Sequence, residues 1–252
     1  MRGFRAVLTG ALLSLLALPA MAQEMPPLPS PGWSFSGLFG SYDVAALQRG
    51  FWVYFKVCSS CHAMKQMYYR DLAAIGLSEG QIKAVAASVQ VPHGVNDQGE
   101  PVTGPALPAD QYKSPFPNDA AARAALGGAL PPDLSLITNA REGHADYVYA
   151  ILTGFTNPPK GFDVPAGKYY NQYFPGHLIS MPPPLSEGAV EYADGTKATV
   201  PQMAHDVTTF LEWSANPELV QRKQIGVRVI LFLLLMTGLT YAAKRKVWAD
   251  VH

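Results

Sequence analysis

The chain has 252 residues, 48% of them hydrophobic and only 15% charged, with a formal net charge of zero. That balance excludes the basic excess expected of a nucleic-acid binder. Its 22 prolines and 22 glycines point to one core wrapped in long loops.

At the N-terminus, Arg2 and Arg5 form a positive n-region, Ala6 to Leu18 a short apolar run, and Ala20-Met21-Ala22 a small-residue cleavage site. These are the parts of a secretory signal peptide, and the apolar run is too short for a membrane anchor. The expectation is a signal over residues 1–22 and an exported chain starting near Gln23.

A helical pattern follows in DVAALQRGFWVYFKV, predicting a helix over 43–57, and it runs straight into CSSCH, residues 58 to 62. A C-x-x-C pair can be a redox dithiol, half of a zinc site or, when His follows, a covalent haem attachment. A zinc site wants a second close Cys or His pair, which is missing. A thioredoxin-like dithiol wants a strand before the motif, where this sequence has a helix. The haem reading uses every ligating residue: Cys58 and Cys61 as thioether donors, one to each vinyl group of a single haem c, and His62 as proximal iron ligand. It also consumes both cysteines, leaving no disulfide in an oxidising compartment.

Further helices are expected near 78–88, 118–127, 144–153 and 201–214, with little strand. The Pro-rich stretch 91–118 reads as a long loop at the surface or against another subunit. The fold class is therefore mostly α: a cytochrome c-type haem domain with long Pro/Gly-rich loops.

A sixth iron ligand is sought among the methionines. Met1 and Met21 leave with the signal, Met25 sits at the new terminus, Met236 lies in an apolar C-terminal segment, and Met64 and Met67 follow His62 too closely to reach the opposite haem face. Met181 and Met203 remain. Met203 falls on an amphipathic helix as ordinary core filling. Met181 stands in YFPGHLISMPPPL, where three prolines stiffen an extended loop, and is favoured. His93, His144, His177 and His205 compete, each reading better as a solvated or hydrogen-bonded residue. A thioether ligand raises the potential and a second imidazole lowers it.

The last segment, Ile225 to Ala243, spans about 28 Å as a helix, close to the thickness of a bilayer core. Its one charge, Arg228, lies near the start, where it can snorkel. Basic residues flank both ends, so the export signal decides orientation: a haem domain over 23–221 in the periplasm, a single transmembrane helix over 225–243 in the inner membrane, and a cytoplasmic tail over 244–252. Counted over 23–221, the exported part carries a formal charge of −7.

The segments GLFGSYDVAALQRGFWVYFKVCSSCH, YRDLAAIGL, AARAALGGALPPDLSLI, DYVYAILTG, YYNQYFPGHLISMPPPL, EYADGTKATVPQMAHDVTTFLEW and the C-terminal anchor, in this order, resemble the cytochrome c1 family, the haem c subunit of ubiquinol:cytochrome c reductase (the cytochrome bc1 complex). The resemblance covers most of the mature chain. It implies His62 and Met181 as iron ligands, Arg123 as the partner of a haem propionate, and the LPPDL loop, Leu130 to Leu134, as a proximal-side element whose backbone carbonyl holds the other nitrogen of His62. The bland reading of Arg123 is a helix-face residue paired with Asp119 or solvent. The extra cysteine pair of some bacterial relatives is missing, which leaves packing to hold the Met181 loop.

The resemblance further implies partners: cytochrome b, a Rieske iron-sulfur protein as electron donor and a cytochrome c as acceptor, in a dimeric complex. The mechanism is outer-sphere electron transfer with no bond chemistry by the chain itself. Asp71, Glu79, Glu187, Glu191 and Asp194 are the expected steering charges for a basic cytochrome c. Two other functions compete. A free-standing tethered carrier needs only about half this exported length. A haem enzyme needs an open sixth position and commonly a second CxxCH, whereas this sequence has one.

Overall fold

A computed structural model describes residues 25–250. The expected signal peptide, its cleavage site and the last two residues lie outside the described residues.

The helices begin where short polar side chains take up their free N–H groups. Asp43 caps α1 (Val44–Lys56), Ser78 caps α2 (Glu79–Ala87), Asn118 caps α3 (Asp119–Ala125) and Thr199 caps α5 (Val200–Ala215), while α4 spans His144–Thr153. Each lies within two residues of its expected position. A further 3₁₀ helix, Tyr69–Ile75, ends at Gly76.

Residues 91–118 are not all loop. An antiparallel hairpin joins β1 (Gln90–Val95) to β2 (Pro101–Pro105), closed by Asn96, whose side-chain oxygen accepts from the N–H groups of Gln98 and Glu100. Pro92, Pro101 and Pro105 disguise the strands, and a two-stranded ladder tolerates them because both strands are edges. A second short pair, β3 (Tyr169–Tyr170) with β4 (Leu178–Ile179), precedes Met181.

The core lies between α1 and α5. From α1 come Leu47, Phe51 and Tyr54, and from α5 Met203, Val207 and Phe210, all buried in one cluster. The helices meet at Gly50, where an added Cβ would lie 2.0 Å from the Asp206 carbonyl oxygen, so only glycine permits the crossing. Met203 is fully buried here, as core filling. The expected amphipathicity of 201–214 is exceeded: α5 is buried on nearly all sides from Met203 to Ser214.

Burial that complete demands partners for the polar side chains of α5. Arg49 of α1 grips Asp206 with two hydrogen bonds, Nε to Oδ2 at 2.8 Å and Nη2 to Oδ1 at 3.1 Å, and also reaches Asp194 at 2.9 Å. Gln202 donates to both Asp206 oxygens at 3.0 Å. Burial works to raise the Asp206 pKa, and the hydrogen bonds from His205, Arg49 and Gln202 outweigh it, holding the carboxyl below the ordinary aspartate range.

Only Asn216, Pro217 and Glu218 separate α5 from the long helix α6 (Leu219–Val247). The joint is tied down. Tyr42 donates its hydroxyl to the carbonyls of Glu212 and Asn216, and the Asn139 and Asn216 side chains exchange hydrogen bonds. Leu219 packs with Trp33, Phe35 and Ala145 in a second apolar cluster. Beyond it, α6 is long and apolar enough to cross a membrane, and its side chains are exposed on every face. It extends past the expected 225–243 at both ends, so Arg222, Lys223, Lys244, Arg245 and Lys246 lie on the same helix.

Because the folded Asp206 pKa lies below its unfolded value of about 4, its contribution to stability is present in full above that value. It is lost as pH falls through the folded pKa. Denaturant titrations from pH 7 to pH 2 should show wild type losing stability along this limb and Asp206→Asn following a flatter one. At pH 7 the variant should be weaker by about 3 kcal/mol, since Arg49 loses its buried counter-charge.

Candidate cofactor site

The CSSCH turn is built on the C-terminus of α1. Its last carbonyls lack intrahelical donors, and the two serines supply them: Ser59 Oγ donates to the Phe55 carbonyl and Ser60 Oγ to that of Val57, both at 2.8 Å. The N–H groups of Cys61 and His62 both donate to the Cys58 carbonyl, at 3.1 and 2.9 Å. The chain thus makes a tight 3₁₀ turn, Cys58–Ser60, that sets Cys58 one turn before the adjacent Cys61 and His62. Both thiols are free and half-buried. Burial and the neighbouring Cys61 push the Cys58 thiol up to about 12.

The segment after Cys61 is fastened to a loop some seventy residues later in the chain. His62 Nδ1 donates to the Pro132 carbonyl at 2.9 Å. The Leu134 N–H donates to the Ala63 carbonyl at 2.8 Å, the Lys65 N–H to Asp133 Oδ2 at 2.9 Å, and the Gln66 N–H to Ser135 Oγ at 3.1 Å. Since a carbonyl can only accept, the Pro132 bond fixes the proton on Nδ1 and leaves the lone pair on Nε2. Burial lowers the His62 pKa against the opposing pull of Pro132 and Asp133, which favours the neutral ring. This is the orientation expected of the LPPDL loop. Asp133 and Ser135 went unnoticed in the sequence; the Asp-x-Ser spacing, in which Asp133 Oδ1 also accepts from the Ser135 N–H, was the available signal.

Met181 follows β4 and stands half-buried outside the apolar core, whereas Met64, Met67 and Met203 are buried within it. Its loop is held by more than packing. Asn171, fully buried, donates its side-chain amide to the Ile151 carbonyl at 2.8 Å, accepts from the Tyr173 N–H at 3.1 Å, and donates its backbone N–H to the His177 carbonyl at 2.9 Å. Lys168 ties β3 to Ser180 at 2.7 Å, and Leu185 anchors the far side in the same core cluster as Met64 and Leu134. The segments carrying His62 and Met181 are therefore both anchored in the same core cluster.

The four other histidines singled out in the sequence have separate engagements. His93 and His144 bond to the carbonyls of Pro105 and Thr138, His205 stacks on Trp33, and His177 is buried, bonded to the Asn171 carbonyl and stacked on Tyr170. Arg123 is exposed on α3, and its Nη1 donates to the Gly128 carbonyl at 3.1 Å rather than to Asp119. A cleft of about 320 Å³ flanks the turn beside Ser59 and Ser60, but neither cysteine, His62 nor Met181 lines it.

Of the expected steering charges, Asp194 is paired with Arg49 and Glu79 with Lys83. Asp71 accepts from the Tyr68 N–H and Glu187 from that of Val200. Glu191 has no hydrogen-bond or ion-pair partner among the described residues and is exposed.

The donor set is two free thiols, one neutral imidazole with Nε2 available, and one thioether outside the core. That set fits a covalently attached haem c, because thiols add to vinyl groups while an imidazole nitrogen and a thioether sulfur are iron ligands.

Comparison with known proteins agrees. Residues 33–251 match the model of the Cytochrome C1 family. A cytochrome c1 of Rhodospirillum rubrum is 48% identical, with 87% of this chain and 86% of that protein covered. The mitochondrial "Cytochrome c1-2, heme protein" of Solanum tuberosum is 49% identical over 82% of this chain and 80% of its own length. A "Cytochrome b/c1" protein of Bradyrhizobium diazoefficiens is 47% identical, and the alignment takes in 98% of this chain but only 39% of that longer protein.

Asp133→Ala removes one hydrogen bond that joins the His62 segment to its supporting loop and a second that shapes the loop itself. Chemical denaturation of the holoprotein should show a loss of about 2 kcal/mol. Asp133→Asn, which keeps an acceptor oxygen, should recover part of it.

Proposed function

The chain belongs to the cytochrome c1 family, haem c electron-transfer subunits of the cytochrome bc1 complex, and from that premise we propose that it takes electrons from a Rieske iron-sulfur protein and delivers them to a cytochrome c. One haem c is held covalently through Cys58 and Cys61, with His62 Nε2 and Met181 Sδ as its iron ligands and Arg123 toward a propionate. When bound, this group supplies a one-electron ferric/ferrous couple.

The observation that supports the reading is the His62 Nδ1 hydrogen bond to Pro132, which leaves on Nε2 the lone pair that an iron ligand needs. The protein's remaining tasks follow from that geometry. The serine-capped turn sets the thiols, the clamp to residues 132–135 resists rotation of the imidazole, and the Asn171 network keeps the Met181 loop in one conformation. A rigid shell lowers the reorganisation required when the iron changes charge, which suits outer-sphere transfer and no bond chemistry.

In this reading α6 is the single membrane anchor, with the globular part over 23–221 in the periplasm and the tail in the cytoplasm. Cytochrome b shares the bilayer with it, and two copies of the whole assembly pair as a dimer. Docking of a basic cytochrome c rests on Glu191, Glu187 and Asp71, because Asp194 and Glu79 are already neutralised by Arg49 and Lys83.

Purification through a C-terminal tag from detergent-solubilised membranes should bring down b-type haem and ubiquinol:cytochrome c reductase activity along with a c-type spectrum. A c-type spectrum alone, from membranes that are otherwise active, would leave a solitary tethered carrier. Met181→His should keep a six-coordinate site that excludes carbon monoxide while lowering the midpoint potential by on the order of 0.2 V, a fraction of the roughly 0.8 V range that axial ligands span. An unchanged redox titration would remove Met181 from the ligand set. Glu191→Gln should reduce the salt dependence of cytochrome c reduction, whereas removing the whole pair with Glu79→Gln and Lys83→Gln, which leaves the net charge unchanged, should leave it nearly unaltered.

A further inference from the structure

Of the large apolar side chains exposed on the globular part, Phe39 is the most exposed, and Leu38 stands beside it. Leu38 is 59% exposed and Phe39 is 85% exposed, on a turn reading SFSGLFGSY that carries no charged residue between Trp33 and Asp43. Exposure of this kind is ordinary on a floppy segment, but this turn is rigid. The Ser36 N–H donates to the Trp33 carbonyl at 3.0 Å, and the Ser41 N–H to that of Ser34 at 3.1 Å. The chain folds so tightly that a Cβ on Gly40 would lie 2.0 Å from the Ser36 carbonyl oxygen. Trp33 and Phe35, which lead into the turn, are buried, against Leu219 of α6 among others.

The turn is also bound to the anchor helix. The Lys223 ammonium donates to the carbonyls of both Phe35 and Gly40, clasping the two stems of the turn. Lys223 stands two residues, or about 3 Å of helical rise, before Ile225, where the apolar surface of α6 begins. Arg222, Lys223 and Arg228 occupy the level at which lysine and arginine meet lipid headgroups. A clasp at Lys223 therefore holds the tip of the turn beside the entry point of the helix, at the depth where aromatic side chains collect in membrane proteins.

We propose that Leu38 and Phe39 form a second, non-helical membrane contact, entering the boundary between headgroups and acyl chains next to α6 on the side of the globular domain. The proposal rests on the reading of α6 as membrane-spanning. The occupant is lipid rather than a protein groove because the stems of the turn are fastened to Lys223, two residues before the apolar surface of α6, and the tip has no charge to be matched. Two contacts set side by side fix the tilt of the domain, which a single helix leaves free to swivel.

The test uses the haem-loaded full chain in its complex, reconstituted in vesicles of phosphatidylcholine with one-fifth phosphatidylglycerol. Single cysteines at Phe39→Cys, Met236→Cys and Gln98→Cys are spin-labelled; the native cysteines are occupied in the holoprotein, and the c-type spectrum reports folding. Power-saturation with oxygen and with a water-soluble nickel chelate should give an oxygen-to-nickel accessibility ratio at position 39 several times that at the exposed hairpin position 98, approaching that at 236. Access of the nickel chelate to position 39 equal to that at 98 would overturn the proposal. Protection from both reagents would also overturn it, assigning the tip to a neighbouring subunit. A low ratio at position 236 as well would instead overturn the anchoring of α6 on which the proposal stands.

Discussion

The crossing of α1 and α5 at Gly50 is the constraint on which the rest of the structure depends. With no side chain at that position the two backbones touch, and the residues on either side are then brought to their partners: Arg49 to Asp206, Phe51 and Tyr54 to Phe210. Because α1 runs without a break into the CSSCH turn, the same crossing sets where the two thiols and His62 emerge. Replacing hydrogen by methyl at Gly50 would therefore displace the donor set as well as the core.

A second fastening makes the placement of His62 unique. The turn alone would leave the imidazole free to rotate about χ1 and χ2. Four hydrogen bonds to residues 132–135 tie the ring and Ala63, Lys65 and Gln66 to a loop that Ser214 of α5 holds in turn, through the Ser135 carbonyl at 3.0 Å. The imidazole is thus referred back to α5 by a path independent of α1. Two routes to one reference helix leave little room for drift.

What the sequence made legible was local. Helix starts could be read because Asp43, Ser78, Asn118 and Thr199 are caps acting over three residues, and CSSCH could be read because its chemistry fits in five. The hairpin at 90–105 was hidden by prolines that break the alternation of a strand, although Asn96 to Gly99 had the composition of its turn. The all-round burial of α5 was hidden by Gln202, His205, Asp206 and Glu212, which look like a solvent face until Asp206 is seen to gather Arg49, Gln202 and His205, and Asn216 to reach one oxygen of Glu212. Negative charges could be counted from composition, but whether each was still available could not, since Arg49 lies 145 positions from Asp194. Prolines hid the local hairpin, and long-range pairing hid the rest.

The joint between α5 and α6 has a mechanical consequence. Only three residues connect the helices, and Tyr42, Asn139, Glu212, Leu219 and Lys223 brace them. There is no tether to slacken, so the globular part and α6 are joined as one piece. In the relay proposed above, where tunnelling rates fall steeply with separation, travel between partners would fall to the neighbours. This chain would then be the fixed pier between them.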